Sequence, residues 1–98
     1  STNRALLGDG TTLLIASREG NYKVANYLIE NGAEVNTVVN SDGTALIQAI
    51  KNGHKKVVEL LLKNGADPKL ETPGDENPMY HAFISNDEKM ISLLRKYL

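Results

Sequence analysis

The 98-residue sequence contains no cysteine and has almost equal numbers of acidic and basic side chains. The lack of cysteine excludes disulfides, thiolate zinc ligands and a cysteine nucleophile, and it favours a reducing compartment. The net charge of −1 argues against a domain that mainly coats nucleic acid or an anionic membrane. No apolar run approaches the roughly 20 residues of a membrane-spanning helix, and the N-terminal segment lacks the apolar stretch of a signal peptide. We therefore expect a soluble intracellular protein, cytoplasmic or nuclear, without a membrane span.

The sequence does contain a repeat with a period of 33 residues. Residues 9–41 align without a gap to residues 42–74 and match at twelve positions, whereas unrelated sequences of average composition would match at about two. A further step of one period aligns residues 75–98 as a shorter third copy. Residues 1–8 then correspond to the end of a preceding copy or to an N-terminal cap. We treat residues 1–98 as a single domain.

Each copy has the pattern of two short helices that end at glycine. In the second copy, Thr44 can cap a first helix that stops at Gly53. A second helix then carries an apolar stripe through Val57 and Leu61, with lysines and a glutamate on its other side. Thr11 is expected to cap the first helix of the first copy in the same way. The predicted helices span residues 12–18, 22–31, 45–51, 55–64, 78–85 and 88–97.

The 33-residue period and the stretch NGHKKVVELLLKNGADP resemble ankyrin repeats, and the resemblance covers essentially the whole chain. The second copy has TALIQA where the family usually has Thr-Pro-Leu-His-x-Ala. Leu14, Ile47 and Tyr80 replace the usual histidine, so we expect apolar stacking in place of the hydrogen bonds that this histidine makes between repeats. The resemblance implies an all-α ankyrin-repeat solenoid of stacked helix-turn-helix pairs joined by β-hairpin-like loops.

The resemblance also implies a protein-binding module and not an enzyme. Ankyrin repeats bind proteins through hairpin tips and the concave face of the first helices, without a catalytic residue. Carried onto this sequence, the surface comprises Arg18, Glu19, Asn40, Ser41, Gln48, Lys51, Asn52, Glu76, His81 and Ser85. Any one of these residues could instead be an ordinary solvated polar residue. We expect a protein partner, no cofactor, no small-molecule substrate and a monomeric chain.

Other classes of function fit the sequence less well. A hydrolase needs a nucleophile, a base and an orienting group that converge, and no such spacing is present. Two histidines do not make a zinc site, and His54 is expected to start a helix. Asp75 and Glu76 could at most hold a cation weakly, so we predict no metal site.

Two further functions stay open as alternatives. A basic group could contact nucleic acid, although it lacks interleaved aromatic residues. Its members are Arg18, Lys51, His54, Lys55 and Lys56. The chain could also serve as a scaffold segment of a larger enzyme or effector protein.

The stretch LIENGAEVN carries a candidate modification site. It resembles the pattern that asparaginyl hydroxylases of the 2-oxoglutarate type recognise in ankyrin repeats: a leucine eight places before the target, then an acidic residue and a valine just ahead of it. Leu28, Glu34 and Val35 stand at these places. The target would be Asn36, and the second copy has Lys69 there. Alternatively, Asn36 hydrogen-bonds the hairpin backbone, as short amides do in turns.

Overall fold

The computed structural model describes residues 10–39, 42–71 and 77–98, and these residues form six α-helices. The helices are α1 (Thr11–Glu19), α2 (Tyr22–Glu30), α3 (Ala45–Lys51), α4 (Lys55–Lys63), α5 (Pro78–Ile84) and α6 (Glu88–Arg95). Both ends of each helix lie within two residues of the ends predicted from the sequence. The all-α prediction is confirmed, since the described residues contain a single isolated β-bridge and no strand.

The helix boundaries follow from local side-chain chemistry. Thr44, Asn77 and Asp87 each precede a helix, and the side-chain oxygen of each accepts a hydrogen bond from the backbone N–H three residues later. This bond satisfies one of the amide groups that lack a partner in the first helical turn. The prediction for Thr11 is wrong, because Gly10 occupies the cap position with a φ of 95° and Thr11 is the first helical residue. Glycine adopts this left-handed backbone readily, whereas a residue with a side chain would be strained there.

The loop between the first two helix pairs contains a very short hairpin. Val39 and Gly43 exchange backbone hydrogen bonds of 2.8 and 3.0 Å in one antiparallel bridge. Gly43 has a φ of 77°, which again lies in the left-handed region that glycine adopts readily. Because Gly43 stands directly before Thr44, the bridge of the hairpin ends one residue before the residue that caps α3.

The hydrophobic core lies between consecutive helix pairs. α1, α3 and α5 pack side by side and are called the inner helices below, and α2, α4 and α6 pack in the same order as the outer helices. The predicted stripe residues Val57 and Leu61 are fully buried. Leu14 and Ile47, at the position of the family's histidine, are also buried. Tyr80 stands at the same position in α5 but is half exposed, because no described residue packs over that side of the third helix pair.

Stacking of the three helix pairs gives the molecule an elongated shape, 40 Å along its longest axis and 26 and 22 Å across. Among the described residues, no helix has both the length and the apolar character needed to cross a bilayer.

Candidate protein-binding surface

The C-terminal ends of the inner helices carry four of the residues that we predicted to contact a partner. Glu19, Lys51, Asn52 and Ser85 are all exposed at these ends. Because α1, α3 and α5 pack side by side, the four residues lie in a row that crosses all three helix pairs. We call this set the inner row. Neither Glu19 nor Lys51 forms an ion pair with a described residue, so both charges face solvent.

Arg18 and Gln48 connect the inner helices to the hairpin. The side chain of Gln48 is only 8% exposed, and its Nε2 donates a hydrogen bond of 2.8 Å to the carbonyl oxygen of Asp42. Its Oε1 accepts a longer bond of 3.4 Å from Nε of Arg18. Arg18 Nη2 also lies 3.4 Å from Oδ1 of Asp42. The geometry thus gives Gln48 a role in positioning the hairpin, and Asp42 belongs to this network although sequence reasoning did not select it.

His54 joins the first helix pair to the second. Its side chain does not cap α4, and its Nε2 lies 2.9 Å from the carbonyl oxygen of Arg18, an arrangement that requires Nε2 to carry the proton. The ring lies so close to Gly20 that a Cβ there would stand 2.5 Å from Nδ1 of the imidazole. The repeat register could have revealed this contact. Asn21 and Asp87 stand one period before and one period after His54, and both cap their helices. A histidine at that position therefore indicates a side chain that bonds a group other than the start of its own helix.

Asn36 joins the loop after the first helix pair to the loop after the second. Its Nδ2 donates a hydrogen bond of 3.0 Å to the carbonyl oxygen of Gly65, and its Oδ1 accepts one of 2.8 Å from the backbone N–H of Asp67. Both ends of the amide are therefore used, by partners that lie 29 and 31 residues further along the chain. Lys69 occupies the equivalent position in the second copy and cannot make this pair of bonds, because it has donors only.

Comparison with known protein families decides what kind of chain this is. A family model of ankyrin repeats, in three copies, matches residues 13–97. The chain belongs to the ankyrin repeat family. Comparison with curated proteins gives no significant match. Ankyrin repeats are generally modules for protein–protein interaction and are typically not enzymes.

Within the third ankyrin repeat, His81 faces the interior. It is buried, and its ring meets the ring of Tyr80 edge to face, with centroids 5.4 Å apart and an angle of 80° between the planes. The remaining predicted contact residues, Asn40, Ser41 and Glu76, lie outside the described residues. In the part of the chain that the structure describes, no three histidine or acidic side chains come close enough together to hold a metal ion.

An ion pair links the outer helices of the second and third ankyrin repeats. Lys55 Nζ lies 2.9 Å from Oδ2 of Asp87, while Oδ1 of the same carboxylate accepts the capping bond from Met90 N. The hydrogen bond from the Lys55 ammonium, followed by the one from the Met90 N–H, holds the pKa of Asp87 below its ordinary value. Asp87 therefore caps α6 and connects it to α4 at the same time.

Proposed function

We propose that this chain binds a partner protein with the inner row and with the adjoining hairpin. The observation that supports this most directly is the repeated exposure of polar residues at the ends of the inner helices, at Glu19, Lys51, Asn52 and Ser85. The helices that present them are fixed by buried apolar contacts on their other sides. The row is therefore a preorganised surface, and preorganisation reduces the entropy lost on binding.

The charges of the inner row favour a partner surface of mixed polarity. Glu19 and Lys51 bring one charge of each sign, and Asn52 and Ser85 are neutral. The basic group considered for nucleic acid is partly occupied, because Arg18 pairs with Asp42 and Lys55 pairs with Asp87. A protein partner should thus show a shallow loss of affinity with rising salt, whereas phosphate contacts would give a steep loss.

Site-specific photocrosslinking tests where the partner docks. A photoreactive residue at Asn52, in the inner row, should crosslink one protein from an extract of the source cells. The matched variant carries the same residue at Lys56, which is exposed on outer helix α4, and should not crosslink that protein. The proposal fails if both positions, or only the outer one, capture the same protein.

Affinity measurements with the captured protein then test the electrostatic role of the row. Lys51→Glu reverses a charge of the inner row, and Glu59→Lys reverses an exposed charge on α4. Lys51→Glu should weaken the complex more than Glu59→Lys does. Equal or opposite effects would move the interface to the outer helices.

Asn36 is also a candidate substrate for an asparaginyl hydroxylase of the 2-oxoglutarate type. The two hydrogen bonds from its amide to Gly65 and Asp67 must open before an enzyme can take the segment as an extended strand. Modification should therefore increase when the repeats are destabilised, as in Leu61→Ala. After incubation with such an enzyme, mass spectrometry should find one added oxygen atom on Asn36. If no oxygen is added even to the destabilised variant, Asn36 has only its structural role.

A further inference from the structure

Three of the helices end at an asparagine that is followed by glycine. The pairs are Asn31 with Gly32 after α2, Asn52 with Gly53 after α3, and Asn64 with Gly65 after α4. Each asparagine Nδ2 donates a hydrogen bond of 2.8 Å to the carbonyl oxygen four residues earlier. Each glycine N–H donates to the carbonyl oxygen three residues earlier, at 3.0 or 3.1 Å. The three pairs therefore share one local geometry.

An asparagine that precedes glycine can lose ammonia without an enzyme. The backbone nitrogen of the glycine attacks Cγ of the asparagine, the bond from Cγ to Nδ2 breaks, and the proton of the glycine nitrogen leaves with the ammonia. The cyclic imide then takes up one water molecule and opens at either carbonyl, to aspartate or to isoaspartate. Neither step is a redox reaction. Glycine favours the attack because it has no Cβ to hinder its nitrogen or to restrict its backbone.

The native hydrogen bonds oppose this attack at Asn64. Its amide is turned back along α4 to the carbonyl oxygen of Leu60, and the N–H of Gly65 is donated to Leu62. Both bonds must break before the nitrogen of Gly65 can reach Cγ of Asn64. Deamidation therefore requires local opening of the helix end, and its rate depends on the free energy of that opening.

The turn after Asn64 is also held from outside its own helix. The carbonyl oxygen of Gly65 accepts the 3.0 Å hydrogen bond from Nδ2 of Asn36, and the N–H of Asp67 donates the 2.8 Å bond to Oδ1. An opening that moves Gly65 must break these two bonds as well. We propose that Asn64 is a site of spontaneous deamidation that the amide of Asn36 keeps closed. This chemistry does not depend on the partner proposed for the inner row.

Deamidation at Asn64 permanently weakens the contact between the two loops. A carboxylate cannot donate the hydrogen bond to Leu60, and it places a negative charge at the negative end of α4. In isoaspartate the main chain runs through the side chain and is one atom longer, which displaces the carbonyl oxygen of Gly65 from Asn36. Because the ammonia is lost, reclosing of the helix end does not restore the original contacts.

Peptide mass spectrometry after long incubation of the whole chain in mildly alkaline buffer measures the rate at each asparagine. All three sites should react in guanidinium chloride, and each rate in the folded protein should be lower than the rate at the same site in the unfolded chain. In Asn36→Ala, the rate at Asn64 should rise about 5- to 30-fold, the factor by which loss of two ordinary hydrogen bonds changes an opening equilibrium. Asn31 and Asn52 should keep their rates, because the hydrogen bonds of Asn36 do not reach them.

Three controls separate local opening from a general loss of stability. Lys69→Ala, at the equivalent position of the second copy, should leave all three rates unchanged. The unaltered protein in enough urea to match the stability of Asn36→Ala should not react selectively at Asn64. Asn36→Asp keeps an acceptor for the N–H of Asp67 but has no donor for Gly65, so the rate at Asn64 should rise by less than in Asn36→Ala.

The pattern of rates decides the proposal. Equal acceleration of all three sites in Asn36→Ala would show that opening is global, and the role assigned to Asn36 would be wrong. An unchanged rate at Asn64 would have the same consequence. If Asn64 reacts no faster in the unfolded chain than in the folded one, the fold does not protect it. Circular dichroism checks that each variant is folded, and Asn36→Asp repeats the test if Asn36→Ala is not.

Discussion

Replacing Gly20 with alanine should destabilise the protein more than the same replacement at Gly53, one period later. Both glycines follow an inner helix, and their φ angles are nearly equal at 73° and 75°. The surroundings differ. A Cβ at Gly20 would lie 2.5 to 2.8 Å from the ring atoms of His54, whereas a Cβ at Gly53 meets no described atom within 4 Å. The pair therefore isolates the effect of one close contact.

The difference between the two variants can be estimated from the structure. Each alanine must adopt a left-handed backbone, which costs about 1 to 2 kcal/mol. At Gly20 the ring of His54 must also move away from the carbonyl oxygen of Arg18, and loss of that hydrogen bond costs about 0.5 to 1.5 kcal/mol more. Gly20→Ala should thus be the more destabilising substitution by about 1 kcal/mol, before any repacking of the ring is counted.

Urea unfolding followed by circular dichroism measures both variants, and the His54→Asn background supplies the control. Asparagine is the residue that caps α2 at the equivalent position, so it should cap α4 and leave room for the new Cβ. In that background, the excess effect of Gly20→Ala over Gly53→Ala should disappear. Equal shifts in the unaltered protein, or an excess that persists beside asparagine, would refute the role assigned to the His54 ring.

Three further substitutions test the packing, the loop contacts and the capping residue. Leu61→Ala should lower the free energy of unfolding by about 2 to 5 kcal/mol, because it empties a fully buried site. Lys56→Ala, on the exposed side of the same helix, should leave the urea midpoint almost unchanged. Equal shifts of the midpoint in the two variants would show that the buried face of α4 is wrongly assigned. Asn36→Ala removes two hydrogen bonds between loops and should cost about 1 to 2 kcal/mol, while Lys69→Ala, at the equivalent position, should have little effect on the same midpoint. The lowered pKa of Asp87 implies a stabilisation that is complete above the ordinary value of 3.8 and is lost as the pH falls through the lowered value. Asp87→Asn keeps a capping side chain but has no carboxylate to protonate. Its melting temperature should therefore decline less in acid than that of the unaltered protein. Parallel declines would contradict a stabilising ion pair between Asp87 and Lys55.

The positions of the helices could be predicted from the sequence because they depend on local chemistry. Helix ends are set by cap residues such as Thr44, Asn77 and Asp87 and by glycines in the left-handed conformation, and all of these act on backbone groups a few residues away. The apolar spacing inside α4 likewise identifies its buried side. Thr11 shows the limit of this reasoning, since a glycine directly before it took the capping position.

The sequence by itself therefore determined the period, the six helices, the buried stripe of α4 and the ankyrin family, whereas Val24, predicted in the equivalent stripe of α2, is exposed. Only the tertiary structure decided which polar residues face solvent and which connect the repeats. Gln48, His54 and Asn36 each meet a group that belongs to another repeat or to the hairpin, and a sequence pattern does not contain the distance between them. The exposure of Tyr80 was decided in the same way, because burial of a repeat's face depends on whether another repeat packs against it.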